Sequence, residues 1–109
     1  MIKNMLLSFS VLMSVNISAG INCSDKITSV IAHSNGNIYF NTENVCSAHW
    51  CVLGQEKWNT SDKLKSGLST LLSANAQKRE VIIEWDASVV PSCDTVLSEY
   101  ATPGFILIK

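Results

Sequence analysis

The sequence predicts a β-rich α+β domain, a small five-stranded barrel with one helix between its third and fourth strands. Three observations lead there. Asn35-Gly36 separates two runs of β-branched and aromatic residues, as a hairpin turn does. The stretch SDKLKSGLSTLLSANAQKREVIIEW, Ser61 to Trp85, passes from a helical period straight into a strand. The other apolar residues beyond the N-terminal segment fall in short strand-length runs, ending in Phe105-Ile-Leu-Ile108.

Residues 1–20 have the build of a secretory signal peptide. Lys3 gives a positive start, Met5 to Val15 is apolar apart from serines, and Ser18-Ala19-Gly20 supplies small residues. That apolar run falls short of the ~20 residues a spanning helix needs, and no later stretch approaches it. Cys23 is separated from the small residues by Ile21 and Asn22, which argues against a lipid-modified cysteine. The expectation is a single domain over residues 21–109, secreted or periplasmic, with no membrane span.

Ile21 to Lys26 is read as a tether. Ile27 to Ser34 is the first strand, with Ile27, Ser29, Ile31 and His33 on one face. Asn35-Gly36 suits a type I′ turn, because both residues tolerate positive φ. In the second strand, Asn37 to Asn41, Ile38 and Phe40 lie opposite Tyr39. Val45 to Leu53 is the third, with Cys46, Ala48, Trp50 and Val52 on one side. Gly54 to Thr60 breaks the pattern and leaves Trp58 in a polar loop. The helix follows, capped by Thr60 or Ser61 with Asp62 in its first turn. Leu64, Leu68, Leu71, Leu72 and Ala76 make its apolar stripe. Gly67 costs about 1 kcal/mol relative to Ala inside a helix, so it marks a close approach to another segment. Val81 to Trp85 is a strand, Asp86 to Asp94 a loop, Thr95 to Tyr100 a short strand, and Phe105 to Ile108 the last one.

Eight basic and nine acidic side chains give a net charge of −1 without a charge run, which leaves nucleic-acid and anionic-membrane roles unsupported. All four cysteines, Cys23, Cys46, Cys51 and Cys93, lie beyond the signal segment. In a small exported chain they point to two disulfides, for which three pairings exist. Cys46 with Cys93 is the expected bridge, tying the third strand to the loop after the VIIEW strand and leaving Cys23 with Cys51. The competing use is a metal site at Cys46, His49 and Cys51, whose spacing is not the usual C-x2-C. No metal or other cofactor is expected.

Catalysis finds little support in the sequence. There is no G-x-S-x-G elbow, and His33 beside the turn reads as a surface residue. Glu84 and Asp86 share a strand face but lack an enclosing cleft for sugar hydrolysis. The chain is therefore expected not to be an enzyme. Aromatic side chains offer flat apolar faces with polar edges, as sugar binding requires. Trp50, Trp58, Trp85 and Tyr39 are the aromatic candidates, against a reading in which Trp85 is core and Trp58 packs at the start of the helix. With the irregular segments around them, the candidate ligand-binding set is His49, Trp50, Trp58 and Asp86.

A helix between the third and fourth strands of a five-stranded barrel is the order of the OB-fold. NGNIYF (residues 35–40), the following Cys46, Trp58, LSTLLSANAQKREVIIEW (residues 68–85), Cys93 and the closing FILI together resemble small exported bacterial OB-fold proteins. The family with a function attached is the binding (B) subunit of subtilase-type cytotoxin and, more loosely, other pentameric toxin B subunits. The resemblance covers most of the chain beyond the signal segment. It implies a glycan-binding module that assembles into a homo-oligomeric ring, a pentamer, with host glycans or a toxin A subunit as partners. No individual binding residue is carried over. A different class of function also fits a small exported protein: a periplasmic immunity or inhibitor protein that blocks a toxin or enzyme.

Overall fold

The computed structural model describes residues 20–54 and 56–109. The expected signal peptide, residues 1–20, lies outside the described residues apart from Gly20. Five strands form one antiparallel sheet: β1 (Gly20–Ala32), β2 (Ile38–Thr42), β3 (Cys51–Leu53), β4 (Glu80–Asp86) and β5 (Phe105–Ile108). Its spatial order is β3-β2-β1-β4-β5, and the barrel does not close. One helix, α1 (Ser61–Gln77), lies between β3 and β4 in the chain and packs against β1, β2 and β5. The class is thus β-rich α+β.

The expected tether is the first half of β1, which pairs with β4 from Gly20↔Asp86 to Lys26↔Glu80. Ile21, Cys23, Asp25 and Ile27 alternate inward there, with Cys23 and Ile27 in the core. Asp25 hid the pattern. It is 3 % exposed, yet its carboxylate accepts hydrogen bonds from the backbone N–H of Asn44 (3.0 Å) and Val45 (3.1 Å), so the charge is compensated. A register shift between Ile27 and Ser29 marks where β1 changes partner from β4 to β2. It also separates Ile27, which is buried, from Ile31, which is 41 % exposed, correcting the expectation that they share a face.

The hairpin forms at the expected place with a different turn. The His33 carbonyl accepts from Gly36 N–H, and His33 N–H donates to Asn37 O, so Ser34, Asn35 and Gly36 make a three-residue loop. Positive φ falls on Gly36 (93°) and not on Asn35, which replaces the type I′ expectation with a turn closed by a left-handed glycine.

The third strand is shorter than expected. A Cys46–Cys51 disulfide closes residues 46–51 into a loop, leaving only Cys51–Leu53 on β2. The second bridge joins Cys23 to Cys93. Both contradict the expected pairing. The reason is β1: once Ile21–Lys26 is a strand beside β4, Cys23 lies next to the loop that follows β4.

Thr60 caps α1 through its hydroxyl, which accepts from Lys63 N–H, and Lys78 ends it in a left-handed conformation. The buried face is Gly67, Leu71 and Ala74, flanked by the half-buried Leu64 and Leu68. Leu72 and Ala76, expected in that stripe, are exposed. Gly67 is the expected close approach: a Cβ there would lie 2.6 Å from Leu53 Cδ1 and 3.0 Å from Trp58 Cζ3. Thr95 to Tyr100 is irregular and not a strand. The connection between β4 and β5 sends Val90, Leu97 and Ala101 into the core, and it is tied to the β2–β3 loop by Leu97 N–H to Val45 O and to β3 by Val52 N–H to Ala101 O, both 2.9 Å.

Candidate functional site

β1, β2 and β3 place Ile31, Tyr39 and Val52 side by side, because Ile31 pairs with Tyr39 and Tyr39 with Val52. Directly opposed residues on antiparallel strands point to one face, so the row is built by the register alone. Its side is opposite to that of Ile38 and Phe40, which are buried. Over this row the segment after the Cys93 bridge lays Tyr100, 60 % exposed.

The result is an aromatic cleft of about 170 Å³ lined by Ile31, His33, Tyr39, Trp50 and Tyr100. Tyr100 is its hub. Its ring centroid lies 5.7 Å from that of Tyr39 and 4.6 Å from that of His49, the latter edge-to-face at 82°. His33 meets Tyr39 edge-to-face at 5.7 Å. Such T-shaped contacts bring positive ring edges to negative ring faces and hold the side chains in place.

Hydrogen bonds fix the polar rims. The Asn35 and Asn37 side-chain amides donate to the Tyr39 hydroxyl at 3.0 and 3.4 Å. With Asn37 the stronger influence, they hold the Tyr39 phenol below its ordinary pKa. His33 Nδ1 accepts from Asn35 N–H at 3.0 Å. The disulfide loop carrying His49 and Trp50 is steadied by Asn41, whose Nδ2 donates to the carbonyls of Cys46 (3.0 Å) and His49 (3.3 Å).

Of the candidate residues, His49 and Trp50 come together here, with Tyr39. Trp58 and Asp86 do not. The Trp58 indole N–H donates to Pro103 O at 2.7 Å and its ring faces Gly67, so it secures the start of the helix. Trp85 is 1 % exposed and belongs to the core. Asp86 accepts from Ser88 N–H (2.9 Å) and Ser88 Oγ (2.7 Å), which hold its carboxyl below the ordinary range. It lines a second, more polar concavity of about 280 Å³ together with Lys57, Trp85, Tyr100 and Thr102. The sulfurs of Cys46 and Cys51 are bonded to each other, so the metal alternative has lost both of its thiolates. Among the described residues no group of three or more His, Cys, Asp or Glu side chains could hold a metal ion.

Sequence reasoning missed Tyr100 and gave His33 no role in binding. His33 lies near Tyr39 across the hairpin, a proximity readable once the turn is placed. Tyr100 reaches the cleft only through the Cys23–Cys93 tether and the Ala101 hydrogen bond, for which the sequence carries no local signal.

No family model matches the sequence, and no curated protein or solved structure matches it. Two disulfides fit an exported protein, and among the described residues no helix is long and apolar enough to cross a membrane.

Proposed function

We propose that the chain is an exported, OB-like binding module whose aromatic cleft recognises carbohydrate without covalent chemistry. The observation that carries this is the set of rings on the β1-β2-β3 face: the half-buried Tyr39 and Trp50 and the exposed Tyr100 flank one shallow opening, with the tyrosine hydroxyls, the His33 imidazole and the Asn35 amide near its rim. A pyranose has one apolar face and a belt of hydroxyls, the complement of such a surface. The OB-like part is supported by β1 pairing with both β2 and β4 and by the helix between β3 and β4. A ring of like subunits, as the toxin B-subunit resemblance implies, is supported by β5, an edge strand exposing Phe105 and Leu107.

Screening the oxidised protein on a glycan array tests the carbohydrate reading. Binding is expected, with Tyr100→Ala and Trp50→Ala each weakening it by about tenfold, equivalent to about 1.4 kcal/mol. An array without signal from a folded protein removes the reading.

A further inference from the structure

Tyr100 forms a wall of both concavities. The hydrogen bond from Val52 N–H to Ala101 O pins its segment at the start of β3, where Trp50 lines the first concavity and Val52 the second. A guest lying in the aromatic cleft therefore has one aromatic side chain between it and a second binding volume.

The chemistry of that second volume is different. Lys57 donates, Asp86 accepts, and the Thr102 hydroxyl does both. Sugar hydroxyls donate and accept, so they can answer all three groups, whereas an acyl chain would strand them. Trp85 closes the floor of this concavity from the core, with 1 % of its surface exposed. Among the described residues the second concavity carries one cation and one anion, and the aromatic cleft carries no Lys, Arg, Asp or Glu. This balance gives a charged sugar no advantage over a neutral one.

The geometry points to one groove crossing Tyr100 that binds a neutral sugar chain of at least two units. One unit stacks in the aromatic cleft and the next occupies the Lys57–Asp86–Thr102 concavity. This assignment rests on the carbohydrate reading above and adds ligand length and charge to it.

The test uses an array of neutral and carboxylated glycans one to four units long, followed by calorimetric titration with the best-bound sequence and its single-unit fragment. Neutral chains of two or more units should bind about tenfold tighter than single units. In the Lys57→Ala/Thr102→Val variant the ratio of two-unit to one-unit affinity should fall to about one, the value for an unused second subsite. Circular dichroism of the variant checks its fold, and Lys57→Ala alone, a change at an exposed side chain, provides a milder second variant. Single units binding as tightly as longer chains, an unchanged ratio in both variants, or a preference for carboxylated chains would each overturn the groove while leaving the carbohydrate reading standing. An array with no binding at all would instead overturn that underlying reading.

Discussion

At Gly67 two local preferences oppose each other. Alanine there would gain about 1 kcal/mol of helix propensity. Its Cβ would press on Leu53, which is fully buried, and on the Trp58 ring, whose indole is anchored to Pro103. Overpacking of this kind costs about 1–3 kcal/mol, so Gly67→Ala is expected to destabilise the domain by about 1 kcal/mol net, measured by urea unfolding. A more stable variant would show that Leu53 has room to move. Tyr39 carries a second expectation at the scale of a single group. Hydrogen bonds from Asn37 and Asn35 favour its phenolate and lower its pKa, so the alkaline rise in tyrosinate absorbance should begin below the ordinary phenol range. Tyr39→Phe should remove that early component. If the early rise persists in the variant, the amides do not act on Tyr39 as their positions indicate.

Among the elements, the two bridges do different work. Cys46–Cys51 spans 5 residues, and Cys23–Cys93 spans 70. In the chain-entropy account, closing the longer loop stabilises by about 4 kcal/mol and the shorter by about 2 kcal/mol. Replacing Cys23 and Cys93 by alanine should therefore lower stability by roughly twice as much as replacing Cys46 and Cys51. Paired urea titrations with the remaining bridge intact measure the difference, and equal losses would contradict the account. The same bridges explain which elements were legible in the sequence. α1, the hairpin, β4 and β5 were, because period, cap and turn residues all act within a few positions. The first half of β1 was not, since Asp25 occupies an inward position and the hydrogen-bond donors that compensate it lie near residue 45. β3 was overextended because the closure of Cys46 on Cys51 bends a run that otherwise reads as extended. Leu72 was placed in the stripe by spacing alone, although the buried face turns toward Gly67, Leu71 and Ala74.

For the whole molecule, the sequence indicated a five-stranded architecture and where the helix falls but added a strand at Thr95 to Tyr100 that does not form, while the aromatic cleft waited on the long-range contacts that bring Tyr100 to Tyr39. The sheet ends at β5, whose hydrogen-bonded neighbour is β4 and whose outward side chains Phe105 and Leu107 are 37 % and 54 % exposed. Leu107 stands opposite Ile82 on β4, so an apolar strip continues inward from the edge. Natural proteins usually protect such an edge with charge, proline or a bulge, and FILI has none of these before Lys109. If the ring proposed for this chain forms, this edge is a place where copies can meet, by extending the sheet and burying Leu107. The oxidised protein is then expected to show a mass above the monomer in concentrated solution by light scattering. Leu107→Glu should lower the association, because a carboxylate at the edge loses its water when the strands pair. Folding should change by about 0.5 kcal/mol or less, as for other exposed positions. A monomer at every concentration would exclude the ring, and an unchanged oligomer in Leu107→Glu would move the interface away from β5.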